Sequence, residues 1–405
     1  MLKKVITDPD AIEDVLSRGV EELVKEEHLR ERLLSGEILR IKFGIDPTSP
    51  HIHFGHTVPL RKLRQFQDLG HQAVLIIGDA TAMIGDPTGR SESRKILTKE
   101  EIEENQKTYI EQAGKVIDLE RAEIHHNGEW FGPMSAADFL GLTSLVTVQQ
   151  MMQREDFRKR VDDPTSPLKA IEITYPIMQG YDSVMVRADV EIGGADQLLN
   201  LYMGRRLQRK FGQPEQDLLT VSLIEGLDGG RKMSKSFGNA IALEDPPEEI
   251  FAKTMSIPDA LMVSYFTLLT EWPTQKIEAA VQAMETGKEN PRDVKAKLAW
   301  ELTRIVWGTE KADEAQMAFD KLFRAREVPE DIPVKMRSHQ PHALVDVLVE
   351  SGLVSSKTEA RRQIEQGGIK VGDAVVKDVK ATIVPTKEGI VIQKGKRHFV
   401  KIVAL

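Results

Sequence analysis

Two histidines three residues apart, His53 and His56, open a helical stretch directly after a strand-like run that ends at Ile45. Residues i and i+3 share a helix face, and the backbone N–H groups of a helix start favour an anion. The pair therefore reads either as added donors for phosphate or as a cap that packs the helix. Gly55 between them tips the balance toward a close approach, since glycine inside a helix costs about 1 kcal/mol. Farther on, Lys232-Met233-Ser234-Lys235-Ser236 follows a second strand-like run and a glycine-rich turn, Gly226 to Gly230. Two lysines on such a loop can hold a polyphosphate without fixed geometry; alone, the pentapeptide is equally readable as a solvated loop. The chain contains no cysteine, which removes thiolate nucleophiles, disulfides and Cys-based zinc sites.

Something must bring these segments together. The first half of the chain alternates apolar strand-like runs with amphipathic helical stretches, the pattern of a parallel sheet covered by helices. Strands are expected at Leu39 to Ile45, Ala73 to Ile77, Val184 to Ala188 and Leu218 to Ile224. A helix is expected from Thr57 to Leu69, with Leu60, Leu63 and Phe66 inward and Arg61, Lys62 and Arg64 outward. Ligands of such sheets bind beyond the carboxyl ends of the strands, so chemistry is expected in the loops after Ile45, Ile77 and Ile192. From Pro246 to Arg326 strand signals vanish and apolar residues recur at helical spacing, as in Ile277, Val281 and Met284. Around Val328 to Pro341 the prolines and charges read as linker. Beyond it come a helix from Ala343 to Ser351, a capping box of Ser356 and Glu359, and a hairpin turning at Gly372-Asp373. There is no internal repeat.

The two signatures in this order resemble those of the class I aminoacyl-tRNA synthetases, His53-Phe54-Gly55-His56 standing for the first and Lys232-Met233-Ser234-Lys235-Ser236 for the second. Three further blocks narrow the resemblance to bacterial tyrosyl-tRNA synthetases: Gly85-Asp86-Pro87-Thr88-Gly89-Arg90, Tyr175-Pro176-Ile177-Met178-Gln179-Gly180-Tyr181-Asp182 and Gly193-Gly194-Ala195-Asp196-Gln197. It covers nearly the whole chain. It implies a Rossmann-like α/β catalytic domain over residues 1–237, an α-helical anticodon-arm domain over 238–328, a linker at 329–340 and a small basic α+β RNA-binding domain over 341–405. The implied activity joins tyrosine to ATP as tyrosyl-adenylate, releasing pyrophosphate, and passes the tyrosyl group to the 3′ end of tRNA(Tyr). Magnesium arrives with ATP, without a dedicated protein metal site, and the enzyme is a homodimer.

The resemblance also distributes roles. Thr48, His53 and His56 contact the phosphates, and Lys232 and Lys235 neutralise the departing pyrophosphate. Asp46, Gly55, His56, Gly194, Asp196 and Lys235 bind ATP, with Asp196 on the ribose. Asp86, Tyr175 and Gln179 receive the tyrosine α-ammonium, Gln197 lies near its carboxylate, and Asp182 accepts from the phenol. Many family members carry tyrosine then cysteine where this chain has Lys42 and Phe43, so Lys42 stands in the phenol pocket in place of a second phenol partner. Taken singly, Asp86 is also readable as a turn aspartate before Pro87, Asp182 as a helix cap, and Tyr175 and Tyr181 as core aromatics. Tryptophanyl-tRNA synthetases share fold and signatures but ordinarily lack a basic tail. A catalytically silent RNA-binding relative would show an eroded phosphate site, which this chain does not.

Composition sets the frame. The 405 residues are 40% hydrophobic and 29% charged, an ordinary globular balance. The net charge of -8 excludes a surface that coats nucleic acid throughout. That charge is uneven: Lys335 to Leu405 carries 13 Lys and Arg against 7 Asp and Glu, while the rest is strongly acidic. A local RNA contact on the tail is therefore expected. Met1 to Asp10, with Lys3 and Lys4 followed by polar residues, shows no secretory pattern, and the longest apolar stretch, Ala73 to Gly78, is too short to span a bilayer. A soluble cytoplasmic protein with no membrane partner is the expectation.

Overall fold

The computed structural model describes residues 5–88, 97–327, 332–372, 374–395 and 398–405. Lys3, Lys4, Gly89, Arg90, Asp373 and residues 328–331 of the expected linker lie outside them. The chain forms two compact units, Met1–Gln316 and Met317–Leu405.

The first unit is built on a six-stranded sheet: β1 (Val20–Val24), β2 (Arg40–Ile45), β3 (Gln72–Ile77), β4 (Ala122–His126), β5 (Val190–Gly194) and β6 (Asp217–Val221), in the order β1-β6-β5-β2-β3-β4. All pairings are parallel except the antiparallel edge β1·β6. β3 is a near-continuous apolar run because helices cover both faces of the sheet, while β2 carries Arg40 and Lys42 among its apolar residues. From β2 the chain builds outward through β3 and β4, and β5 returns to the other flank of β2. The order therefore reverses between β2 and β5, and a crevice opens beyond their carboxyl ends.

Three strand expectations are met with shifted ends, and one is overturned. Val184 to Ala188 is not a strand: Val184 and Val186 belong to the helix Ala170–Val186, which stops where Arg187 adopts a left-handed conformation at φ 49°. The strand follows it at Val190–Gly194, disguised by Glu191 and two glycines. A short apolar run cannot separate buried helix from buried strand by periodicity alone. β1 and β4, rich in charge and histidine, were not expected.

The helix Phe54–Asp68 buries Leu60, Leu63 and Phe66 as expected, but Lys62 does not face water. It is 3% exposed, and its Nζ donates to the carbonyls of Val15 (2.6 Å) and Arg18 (2.9 Å). The N-terminal helix Pro9–Ser17 covers that face and offers the carbonyls of its last turn. From Pro247 to Glu327 the structure is helical, as expected.

In the second unit, β9 (Ile369–Val371) and β10 (Ala374–Val376) form the expected hairpin in a sheet of order β10-β9-β12-β13-β7, with β7 spanning Val334–Arg337, β12 Ile390–Lys394 and β13 His398–Ala404. β7 falls inside the stretch that its prolines marked as linker; it pairs in parallel with β13, where Pro333 supplies a carbonyl to Lys401 N–H. As an edge strand it tolerates a neighbouring proline. A two-stranded ladder of β8 (His342–Ala343) and β11 (Thr382–Ile383) and the helices Leu344–Glu350 and Lys357–Glu365 complete the unit. The capping box is half formed: Ser356 Oγ accepts from Glu359 N–H, but the Glu359 carboxylate turns to Ser355 and Lys394.

Candidate active site

At the carboxyl end of β2, Asp46 sits under the crevice. Its Oδ1 accepts from Thr81 Oγ1 at 2.7 Å and its Oδ2 from the Tyr175 hydroxyl at 2.9 Å. Gly78 makes this possible, because a Cβ there would lie 2.1 Å from Asp46 Oδ1. Thr48 turns back over the same residue, its N–H donating to the Asp46 carbonyl at 2.8 Å.

His53 is the N-cap of the helix Phe54–Asp68, and its Nδ1 accepts from Gly55 N–H at 3.1 Å. His56 Nδ1 accepts in turn from His53 N–H at 3.2 Å, and the rings lie 3.8 Å apart. An Nδ1 that accepts carries no proton, so each neutral ring presents Nε2–H outward. Burial, helped by the nearby His56 and Lys235, pushes His53 down to about 2, so it is an uncharged donor at neutral pH. The capping role and the donor role are thus both present. A Cβ on Gly55 would lie 2.8 Å from the His53 ring, which accounts for the glycine.

The second signature reaches this helix start from β6. Phe54 N–H donates to the Ile241 carbonyl at 3.0 Å, and a Cβ on Gly55 would touch Met233 Cβ at 3.6 Å. Lys235, close enough to perturb His53, is itself lowered by burial against the pull of Glu244 and Asp245. Lys232 reaches across to Asp196 beyond β5, Nζ to Oδ2 2.7 Å. Gly194 lets Asp196 approach, since a Cβ there would lie 2.9 Å from Asp196 Oδ1.

A second polar group lines the crevice between the helices Ala170–Val186 and Leu198–Lys210. Asp86 Oδ1 accepts from Thr88 N–H, as a turn aspartate would, while its Oδ2 accepts from Gln197 Nε2 at 2.7 Å. Gln197 Oε1 accepts from Asn200 Nδ2, which also donates to Gln179 Oε1 at 3.1 Å. Arg154 closes the ring through Asn200 Oδ1 and Thr88 Oγ1. Asp182 lies inside its helix, 4% exposed, and does not cap it. Its Oδ1 accepts from Trp130 Nε1 at 2.9 Å and its Oδ2 from Asn127 Nδ2 at 3.4 Å. Tyr175 packs in the core with Ile84 and Met178 while its hydroxyl stays on Asp46; Tyr181 packs against a neighbouring apolar cluster.

Lys42, expected at the phenol pocket, has its ammonium engaged by the protein itself. Fully buried, its Nζ donates at 2.8 Å to the Gln179 carbonyl, to Ser183 Oγ and to Glu191 Oε1, so its three protons are spent within the protein. β2 and β5 pair Lys42 directly with Glu191. Removing one member of a buried pair leaves an uncompensated charge. Lys42→Met is therefore expected to lower unfolding free energy in urea by about 3–5 kcal/mol, and Lys42→Met with Glu191→Met to recover most of it; wild-type stability of the single variant would contradict the pairing.

Asn127, Trp130, Thr81, Arg154, Asn200 and Glu191 were not among the expected site residues. Glu191 and Lys42 carried a signal: each is a charge flanked on both sides by apolar residues in a strand, and two such strands side by side invite a pair. Asn127 follows the carboxyl end of β4 and was lost with that strand. Among the described residues, no cluster of three or more His, Asp or Glu side chains is arranged to hold a metal ion.

Comparison with known proteins identifies the family of the chain. Residues 35–324 match the family tRNA synthetases class I (W and Y), and residues 325–402 match the tyrosine--tRNA ligase SYY-like C-terminal domain. The tyrosine--tRNA ligase of Thermotoga maritima is 48% identical over 394 residues, covering 97% of this chain and 98% of its own. That of Symbiobacterium thermophilum is 48% identical over 398 residues, 96% of each. The fold is similar to the crystal structure of tyrosyl-tRNA synthetase complexed with L-tyrosine from Archaeoglobus fulgidus, with TM-score 0.63 and 24% identity over 76% of this chain and all of that one. It is also similar to a C-terminally truncated Aspergillus nidulans mitochondrial tyrosyl-tRNA synthetase, with TM-score 0.64 and 21% identity over 78% of this chain and 94% of that one. Five motif blocks converging on one crevice, a matching family over most of the chain and relatives near half identity along its length place the chain in the class I aminoacyl-tRNA synthetases, among the bacterial tyrosine–tRNA ligases.

Proposed function

We propose that the chain activates L-tyrosine with ATP and transfers the tyrosyl group to the 3′ end of tRNA(Tyr). The observation that carries this reading is that Thr48, His53, His56, Lys232 and Lys235 gather at the carboxyl ends of β2 and β6, with the half-buried Asp86 and the buried Asp182 on the elements beside them. In the first step a tyrosine carboxylate oxygen forms a bond to the α-phosphorus and the bond from that phosphorus to the bridging oxygen breaks, releasing pyrophosphate. In the second, a terminal ribose hydroxyl of tRNA attacks the adenylate carbonyl and AMP leaves. No protein nucleophile is needed; positioning and stabilisation of developing charge do the work.

In this reading the Nε2–H groups of His53 and His56, with Thr48, meet the α- and γ-phosphate oxygens, and Lys232 and Lys235 meet the departing pyrophosphate. Asp46, Gly55 and Gly194 shape the ATP site, and Asp196 exchanges Lys232 for the ribose. Asp86, Tyr175 and Gln179 take the α-ammonium, Gln197 stands beside the carboxylate and Asp182 accepts from the phenol. Lys42 acts from behind, holding Glu191 and the Gln179 carbonyl. Magnesium would come as part of the ATP substrate and would offset phosphate charge. Residues 1–237 serve as the tyrosine and ATP domain, 238–328 as the anticodon-arm domain and the basic tail as an RNA contact. A homodimer is part of the same reading. Among the described residues no helix is long and apolar enough to cross a membrane, and a cytoplasmic site suits a partner that is tRNA.

Burial pushes the Asp182 carboxyl up to about 7, against the Lys42 ammonium and the Trp130 and Asn127 donors, with Glu191 acting in the same direction as burial. A phenol that donates to Asp182 needs the ionised carboxylate. Tyrosine affinity is therefore expected to rise between about pH 6 and pH 8, read by equilibrium dialysis; a flat profile would speak against Asp182 as the phenol acceptor. The same raised value makes Asp182 favour folding fully only below the unfolded carboxylate range, near pH 4, a contribution lost as pH rises through about 7. The whole reading is tested by charging unfractionated bacterial tRNA with labelled tyrosine or tryptophan. Tyrosyl-tRNA alone is expected, and tryptophanyl-tRNA would overturn it.

A further inference from the structure

We propose that the buried side-chain amide of Asn239 is a positioning residue for tyrosine activation, holding the backbone on both sides of Met233 so that Lys232 and Lys235 face the phosphates together. The proposal rests on the phosphate roles assigned above to those lysines. Asn239 is 3% exposed and lies at the centre of the turn that carries them. Its Oδ1 accepts from Ser234 N–H at 2.8 Å. Its Nδ2 donates to Asp228 Oδ1 at 2.9 Å, with the Lys232 and Arg231 carbonyls at 3.3 and 3.4 Å. The amide orientation is forced, because a backbone N–H only donates and a carbonyl only accepts.

The consequences fall on both lysines. Ser234 is the residue before the single helical turn Lys235–Phe237, so fixing its N–H sets the direction in which Lys235 leaves the loop. The contact to the Lys232 carbonyl fixes the other limb, where Lys232 bridges back to Glu225. Between them Met233 is anchored by its N–H on the Ile224 carbonyl at 2.8 Å and by a side chain only 5% exposed. This segment has no continuous ladder, so its inward backbone groups need a side-chain partner. The fit is close: a Cβ on Gly226 would lie 2.2 Å from Asn239 Cγ, which leaves glycine at 226. The base of the turn is held independently, since buried Tyr265 donates to the Glu225 carbonyl at 2.8 Å. Loss of the amide would therefore misplace the lysines without releasing the loop.

The test uses the full chain, with tyrosine-dependent ATP–pyrophosphate exchange and equilibrium binding of tyrosine measured on Asn239→Ala, Asn239→Asp, Lys235→Ala and Asn239→Ala with Lys235→Ala. Asn239→Asp keeps the size and the acceptor but turns the donor arm into a charge facing Asp228, and it serves where the alanine variant folds poorly. Either single Asn239 variant is expected to lower kcat of exchange by about 100-fold, as a small misplacement can, with tyrosine affinity unchanged. In the Lys235→Ala background the Asn239→Ala loss is expected to shrink well below 100-fold, because part of the amide's effect runs through Lys235 and only the part through Lys232 remains. Losses that multiply in the double variant, or an equal loss of tyrosine affinity in the Asn239 variants, would overturn the proposal. Wild-type exchange by Lys235→Ala alone would instead remove the phosphate reading, and the proposal with it.

Discussion

Lys235→Ala is expected to slow tyrosine-dependent ATP–pyrophosphate exchange by about 100-fold or more, the scale set by deleting one preorganised charge stabiliser, while tyrosine affinity stays within about twofold. The reasoning is positional. Lys235 lies near His53 with its ammonium partly desolvated, and the group proposed for tyrosine, around Asp86, Gln179 and Asp182, is built from other elements. A contact that strengthens only as negative charge builds on the departing pyrophosphate lowers kcat when removed and leaves ground-state binding of tyrosine alone. His53 and His56 cannot substitute, since burial keeps His53 neutral and it supplies a hydrogen bond without a charge. Equal losses in exchange and in tyrosine binding would contradict this division of labour.

Deleting the basic tail is expected to have the second large effect: charging of tRNA falls to about 1% or less while tyrosine activation is unchanged. Phosphate contacts supply most of the affinity of such a module and release counterions as they form, so residual charging by the intact chain should fall steeply with added salt and that of the truncated chain should not. Where to cut follows from the structure. Ending the chain before Pro341 would leave β7 without β13, its partner in the sheet, so the truncation is placed after Glu327, at the end of the last long helix. Charging that survives truncation at wild-type rate would refute an RNA role for the tail. Loss of activation as well would show that the first unit depends on it.

The parts of the molecule that could be read in advance are those where local chemistry and tertiary surroundings agree. β3 announces itself because a strand buried on both faces is apolar along nearly its whole length, and β2 and β6 through apolar residues that outnumber their charges. The helix Phe54–Asp68 follows from its period, and the hairpin β9–β10 from its turn. Reading failed where burial was offset by something distant in sequence. Lys62 looks like a surface residue until the carbonyls of the Pro9–Ser17 helix arrive to receive it. Glu191 breaks the apolar run of β5, but Lys42 lies opposite on β2. β7 looks like linker because only β13, more than sixty residues later, makes it a strand.

The site shows the same division. The resemblance named His53, His56, Lys232, Lys235, Asp86, Asp182, Asp196 and Gln197 as site residues. It did not locate the residues that hold those groups in place. Trp130 and Asn127 orient Asp182, Asn200 and Arg154 join Gln197 to Gln179 and Thr88, and Asn239 grips the lysine loop. These are ordinary polar residues whose function is visible only once burial removes water as their alternative partner. Lys42 is the instructive case: a substrate contact by resemblance, it is instead committed on all three protons to the protein beneath the pocket.

The central claim, that the crevice between β2 and β5 activates tyrosine and not another amino acid, is tested most directly by ATP–pyrophosphate exchange with the purified full chain, ATP and each of the twenty amino acids in turn. Exchange supported by tyrosine, with the other nineteen at background, is the predicted result. Exchange supported by a different amino acid while tyrosine stays at background, or no exchange with any of the twenty, would contradict it.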